Sequence, residues 1–147
     1  MSFPDAIKSV FSQYATFTGR ARRSEFWFWY LFLVIIAAVE GVLLGTVGAA
    51  SIDTTTGTFG AGYYVVVSLV SIVWLALLLP TLAVMVRRLH DQDKSGFFWF
   101  MTLIPLAGPI IMIVFYATAG TVGANRFGPD PKALEAAPYG APAAPAV

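Results

Sequence analysis

Apolar positions along this chain gather into three long stretches, residues 26–50, 63–86 and 97–119. Each reaches or exceeds the roughly 20 residues a helix needs to cross about 30 Å of hydrocarbon. The pattern predicts an all-α membrane protein with three hydrophobic helical segments. The first opens FWFWYLFLVIIAAV, which sets its aromatic residues at headgroup depth and its aliphatic run in the acyl core. Ahead of it, Ser2-Phe3-Pro4-Asp5 reads as a capping box, and Phe3, Ile7, Val10, Phe11 and Tyr14 then share one helical face. That amphipathic helix is expected in the membrane interface, with Lys8, Ser9, Ser12 and Gln13 toward water. Gly48-Ala49-Ala50 loosely resembles a signal-peptidase site, yet 25 mixed residues before a 25-residue apolar run is the shape of an uncleaved anchor.

Pro105, Gly108 and Pro109 break the third stretch near its midpoint, and a proline removes a helical hydrogen bond and clashes one turn back. A single kinked crossing is the form expected, since its two halves are short; it would carry Arg126 and Lys132 to the far side. The alternative is a re-entrant hairpin folded at 105–109, which keeps those residues on the near side but needs protein or water around its bent backbone. The last stretch, PDPKALEAAPYGAPAAPAV, has too few large apolar side chains to bury and is expected to be disordered. The chain thus divides into a cytoplasmic interfacial helix and basic border (1–25), a polytopic membrane domain (26–128) and a Pro/Ala-rich tail (129–147).

Charge orients these elements. Lys8, Arg20, Arg22 and Arg23 precede the first stretch, Arg87, Arg88 and Lys94 follow the second, and the loop 51–62 between them has no basic residue. By the positive-inside rule the N-terminus and the loop 87–96 are cytoplasmic and the loop 51–62 lies outside. Composition agrees: 58% of the 147 residues are hydrophobic and 12% charged, against about a quarter charged in ordinary globular chains. This excludes a disordered chain, a soluble enzyme with a polar shell and a nucleic-acid binder. With no cysteine, disulfides, thiolate zinc sites, iron–sulfur clusters and cysteine nucleophiles are excluded together.

The candidate chemistry lies at the cytoplasmic border, where Arg20, Arg22, Arg23, Glu25, Arg87, Arg88, His90, Asp91 and Asp93 gather. One reading is a structural knot in which Glu25 and Asp91 each take an arginine; the other is a site for anionic lipid headgroups, whose phosphates suit guanidinium forks. His90, the single histidine, stands next to Asp91, but neighbours on a helix point apart and no nucleophile or second ligand has motif spacing. No catalytic, cofactor or metal site is expected.

Glu40 is the one ionisable residue deep in a span, where an acidic group costs about 2.5–3.5 kcal/mol on insertion scales. A bond to Ser68, Ser71 or Trp74 would make it interhelical glue, and a proton or ion pathway is the alternative. Gly41 and Gly45 form a GxxxG face expected to pack within the chain, with homodimerisation next. Gly57, Gly60 and Gly62 read as an external turn, because the strand, helix and lysine of a phosphate loop are missing.

Three motifs occur in order: Gly19-Arg20-Ala21-Arg22-Arg23-Ser24-Glu25-Phe26-Trp27; Arg87-Arg88-Leu89-His90-Asp91 with Ser95-Gly96; and Asn125-Arg126-Phe127-Gly128-Pro129-Asp130-Pro131. With apolar segments between them, the chain resembles the bacterial inner-membrane family catalogued as domain of unknown function 805. Phe97-Phe98 stands where that family usually has tryptophans, and Gln92-Asp93-Lys94 is a polar variant of its turn. The resemblance implies a small polytopic protein of the bacterial inner membrane and supplies no catalytic residues. Asn125, Gly128 and Asp130 enter as motif positions through it.

The expected function is a non-enzymatic scaffold or accessory subunit whose partners are the bilayer, its anionic lipids, and a second copy or another membrane protein. The alternatives are a small oligomeric transporter or channel using Glu40, an anionic-headgroup binder, and a lipid-modifying enzyme using His90 and Asp91.

Overall fold

The computed structural model describes residues 1–133; most of the tail expected to be disordered, 134–147, lies outside the described residues. The elements run α1 (Phe3–Ser12), α2 (Arg23–Ser51), α3 (Ala61–Asp91), a 3-10 helix (Gly96–Leu103) and α4 (Ala107–Ala117). Among the described residues there is no strand, and isolated pairings such as Ile52 with Phe59 close turns.

The start of α1 follows its sequence signature. Ser2 Oγ accepts from the Asp5 amide at 3.4 Å and the Ser2 amide donates to Asp5 Oδ2 at 3.1 Å, so two otherwise orphaned amides are satisfied. The Ser2 hydroxyl and then the Ser2 amide donate to the exposed Asp5 carboxylate and hold its carboxyl below the usual range. Ala6 and Val10 are fully buried, and Phe3 and Phe11 set their rings edge-on to Phe28 and Trp29 of α2. One expectation is corrected here. Ser9 and Gln13 do not face water: Ser9 Oγ donates to Glu25 and Gln13 accepts from Arg87, because buried charges recruit the nearest small polar groups.

By rise per residue, α2 and α3 extend about 43 and 46 Å, and both are long and apolar enough to cross a membrane. Val42 and Leu75 leave 69% of their surface uncovered, and neighbouring Val, Leu and Ile residues are likewise exposed. Water is a poor solvent for such a face.

Pro80 lies inside α3, where it cannot donate to the carbonyl of Ala76. That carbonyl instead accepts from the Tyr14 hydroxyl at the end of α1. One residue later Thr81 Oγ1 donates to Leu77 O at 2.7 Å and accepts from Trp29 Nε1 at 3.1 Å. The break in α3 is thereby repaired by α1 and α2.

The third apolar stretch does not form the single kinked helix expected. Its backbone reverses at Leu106, whose φ of +64° is left-handed, with the Ala107 amide donating to Pro105 O at 2.7 Å. This is a strained γ-turn. The arms then press together: a Cβ on Gly108 would stand 2.2 Å from Met101 O, and Phe98 meets the Phe115 ring at 6.1 Å. At 11 residues α4 extends about 16 Å, half the thickness of a hydrocarbon core, so it returns to the end of α3 from which the stretch began.

Tyr14→Phe should lower thermal stability in detergent by about 1 kcal/mol through the unpaired Ala76 carbonyl. In a Pro80→Ala background, where residue 80 regains its amide, the same change should have little effect; equal losses in both backgrounds would count against the repair.

Candidate functional site

The return of α4 brings its C-terminus against the last turn of α3 and the first turn of α2. A helix leaves its last four carbonyls without helical partners, and here all four are satisfied. Val114 O accepts from the Thr118 amide at 2.9 Å and Phe115 O from Gln92 Nε2. Tyr116 O accepts from Arg88 Nε at 3.2 Å, and Ala117 O takes a longer bond from Arg23 Nη1 at 3.4 Å. Two guanidinium groups thus meet the negative end of the α4 dipole.

Arg88 is fully buried and pairs with Asp91, while its Nη2 donates to Thr118 O. Asp91 is shared with Arg20, which donates to Oδ1 from Nε at 3.0 Å. Arg20 then reaches the carbonyls of Thr121 and Gly123, each at 2.6 Å, so residues 120–123 wrap the far side of the pair. Position 120 must be glycine, since a Cβ there would stand 1.9 Å from Asp91 Oδ2.

Arg87, also fully buried, faces the other way. Its Nη1 donates to Glu25 Oε1 at 3.1 Å and Gln13 Oε1 at 2.8 Å, while Nε and Nη2 make no hydrogen bond. Glu25 is therefore its single counter-charge among the described residues.

The third motif closes over these pairs. Asn125 Nδ2 donates to His90 O at 2.9 Å and to Thr121 Oγ1 at 3.0 Å, and its backbone pairs twice with Gly128, whose φ is +135°. Phe127 stacks on the His90 ring at 3.8 Å and 3°. Asp130 accepts from the amides of Lys132 and Gly123, which hold its carboxyl below the usual range. Arg126 pairs with Asp93 at 3.2 Å in the open.

His90 and Asp91 look to different partners, Gly19 and Phe127 against Arg20 and Arg88, so they form no dyad. Among the described residues no group of three or more His, Asp and Glu side chains could hold a metal. Glu40 lies apart from the cluster and accepts from Trp74 Nε1 at 2.6 Å, whereas Ser68 and Ser71 bond carbonyls of their own helix. Gly48, which extends the small-residue face of Gly41 and Gly45, packs within the chain, where a Cβ would stand 3.3 Å from the Tyr63 ring, whereas at Gly41 and Gly45 no neighbouring element comes within 4 Å and the intrachain packing expected there is not formed.

A family model described as "Protein of unknown function (DUF805)" matches residues 14–129, which span the first two motifs and the third as far as Pro129. The chain belongs to this family. Inner membrane protein YhaH of Escherichia coli K12 is 42% identical over 128 residues, covering 87% of this chain and 97% of its own length. Inner membrane protein YhaI of the same strain is 36% identical over 124 residues, 84% and 92% of the two lengths. No solved structure matches the chain.

Sequence reading missed four members of the site in this family member: Gln13, Gln92, Gly120 and Thr121. Gln92 and Gly120 carried a signal, as a polar residue at the end of α3 and a glycine directly after the third apolar stretch. Gln13 and Thr121 carried none, since they act across 74 and 30 positions of chain.

Glu25→Ala should destabilise the protein by about 3–5 kcal/mol by stranding the buried Arg87, whereas Lys94→Ala, which loses a contact over the Phe115 ring, should cost about 1 kcal/mol or less. Thermal unfolding in detergent measures both, and a Glu25→Ala protein as stable as wild type would remove the ion pair as a structural element.

Proposed function

We propose that this protein crosses the bacterial inner membrane twice, through α2 and α3, and dips the 3-10 helix and α4 into the same membrane as a re-entrant hairpin. The reading rests on one observation: all nine lysines and arginines belong to segments that gather at one end of the α2–α3 pair. Folding back α4 brings Arg126 and Lys132 to the end that already carries Arg20, Arg87 and Arg88. Positive-inside bias then makes that end cytoplasmic and the turn 53–60 external. The hairpin apex, where Leu106 is 88% exposed, would lie in hydrocarbon, with its bent backbone bonded within the turn through the Ala107 amide to Pro105 O and the Gly108 amide to Ile104 O.

Within that topology the protein acts as a non-enzymatic scaffold or accessory subunit. Arg20, Arg87 and Arg88 spend their hydrogen bonds inside the chain, so the motifs serve to build a rigid cytoplasmic cap. The open Gly41–Gly45 face of α2 supplies the docking surface, where a second copy could approach to backbone distance.

A headgroup reading is carried by part of the border cluster first considered, with Lys132 added to it. Arg22, Arg23, Ser24 and Lys132 line an open cavity of about 410 Å³ at the border, and this basic rim, rather than the buried arginines, is where lipid phosphates would bind.

Reporter fusions test the topology: those placed in 53–60 should report the periplasm, and those after Lys94 and after Gly128 the cytoplasm. A periplasmic signal after Gly128 would overturn the hairpin. Sedimentation in mild detergent tests the docking face, where wild type should self-associate or retain a partner and Gly45→Leu should lose that association. A wild-type monomer with no retained partner would remove the scaffold reading.

A further inference from the structure

Beside the charge cluster, the lower half of α3, the 3-10 helix and the α1–α2 loop enclose a cavity of about 420 Å³, within the range of small-ligand sites. Phe17, Leu82, Val86, Trp99 and Phe100 make its apolar walls, and His90 is the one ionisable group in its lining. Space beside His90 exists because residue 96 is glycine. A Cβ there would stand 2.8 Å from Val86 Cγ1 and 3.5 Å from His90 Nε2.

The His90 ring is fixed on two sides, stacked on Phe127 and facing Gly19 O through Nδ1 at 3.3 Å. A carbonyl oxygen only accepts, so Nδ1 carries the proton of the neutral ring and Nε2 presents a lone pair. Ser95, the neighbour of Gly96, accepts from the Phe97 amide at 3.3 Å and keeps its own O–H to donate. An acceptor and a donor therefore lie at one end of an apolar cavity. A hydroxyl, which gives one proton and takes one, satisfies both. A carboxylate or phosphate would set its oxygens against the Nε2 lone pair, and a hydrocarbon would leave both polar atoms without partners.

We propose that this cavity binds a single-chain lipid alcohol, with its hydrocarbon chain along Leu82, Val86, Trp99 and Phe100 and its hydroxyl between His90 Nε2 and Ser95 Oγ. Access is lateral: Phe97 and Phe100 at its mouth are exposed on a face that, under the topology proposed above, looks into the cytoplasmic leaflet. The inference rests on that topology, so its test first establishes insertion by flotation of the full chain in nanodiscs of phosphatidylethanolamine and phosphatidylglycerol.

A long-chain alcohol brominated along its chain is then titrated at fixed lipid content while tryptophan fluorescence is read. Saturable quenching is expected, absent in Trp99→Phe and competed by the unbrominated alcohol but not by the matching alkane. Ser95→Ala should weaken binding about fivefold to tenfold, the effect of losing one hydrogen bond, and Val86→Phe should abolish it by filling the cavity. His90→Phe should act like Ser95→Ala, and the serine variant keeps the test valid if the histidine variant does not fold. Non-saturable quenching, quenching equal to that from brominated phosphatidylglycerol, or binding unchanged in both Ser95→Ala and Val86→Phe would overturn the proposal. A chain that fails to float would instead count against the membrane topology.

Discussion

The C-terminal end of α4 is the constraint from which the rest of the border follows. Of its last carbonyls, that of Tyr116 is buried and that of Phe115 partly buried, and a group left unpaired there would cost on the order of 1–3 kcal/mol. Gln92, Arg88 and Arg23 answer three of them from two other helices. Arg88, once buried for that purpose, requires a counter-charge, and Asp91 one turn later supplies it. Asp91 in turn attracts Arg20, and Arg20 draws residues 121–123 over the pair. Each step creates the polar group that the next must satisfy.

Counted by formal charge, the buried set of Arg20, Arg87 and Arg88 exceeds Glu25 and Asp91 by one. Carbonyl oxygens make up the difference, those of Tyr116, Thr118, Thr121 and Gly123. Arginine suits this arrangement better than lysine, since a planar fork with five donors reaches a carboxylate and two carbonyls at once. A lysine at position 88 would keep the charge but could not span Tyr116 O, Thr118 O and Asp91 together.

Much of this was legible in the sequence, and what was not has a physical reason. The capping box at Ser2 and the lengths of α2 and α3 are local properties, so local patterns reveal them. Grouping Glu25 and Asp91 with the arginines came from charge alone, and the sequence could not say which arginine each would take. Residues 105–109 break a helix equally well for a kink and for a reversal, so the turn itself cannot tell one from the other. What separates them is Gln92, Gly120 and Asn125, whose roles exist only once α4 has returned. Pro80 shows the same limit from the other direction: read alone it is a defect in α3, and it becomes tolerable only because Tyr14, far away in sequence, meets Ala76.

The fate of the arginines also decides where ligands can act. A headgroup site built on Arg20, Arg87 and Arg88 would require breaking ion pairs that hold three segments together, and removing one partner of such a pair costs several kcal/mol. Binding energy of that size is more than the roughly 1 kcal/mol per residue that an anionic surface supplies. The surfaces proposed for recognition accordingly lie outside that buried set, at the rim lined by Arg22, Arg23, Ser24 and Lys132 and in the His90 cavity. In this chain the three motifs are largely an internal skeleton, and the proposed surfaces are the ones that skeleton leaves uncovered.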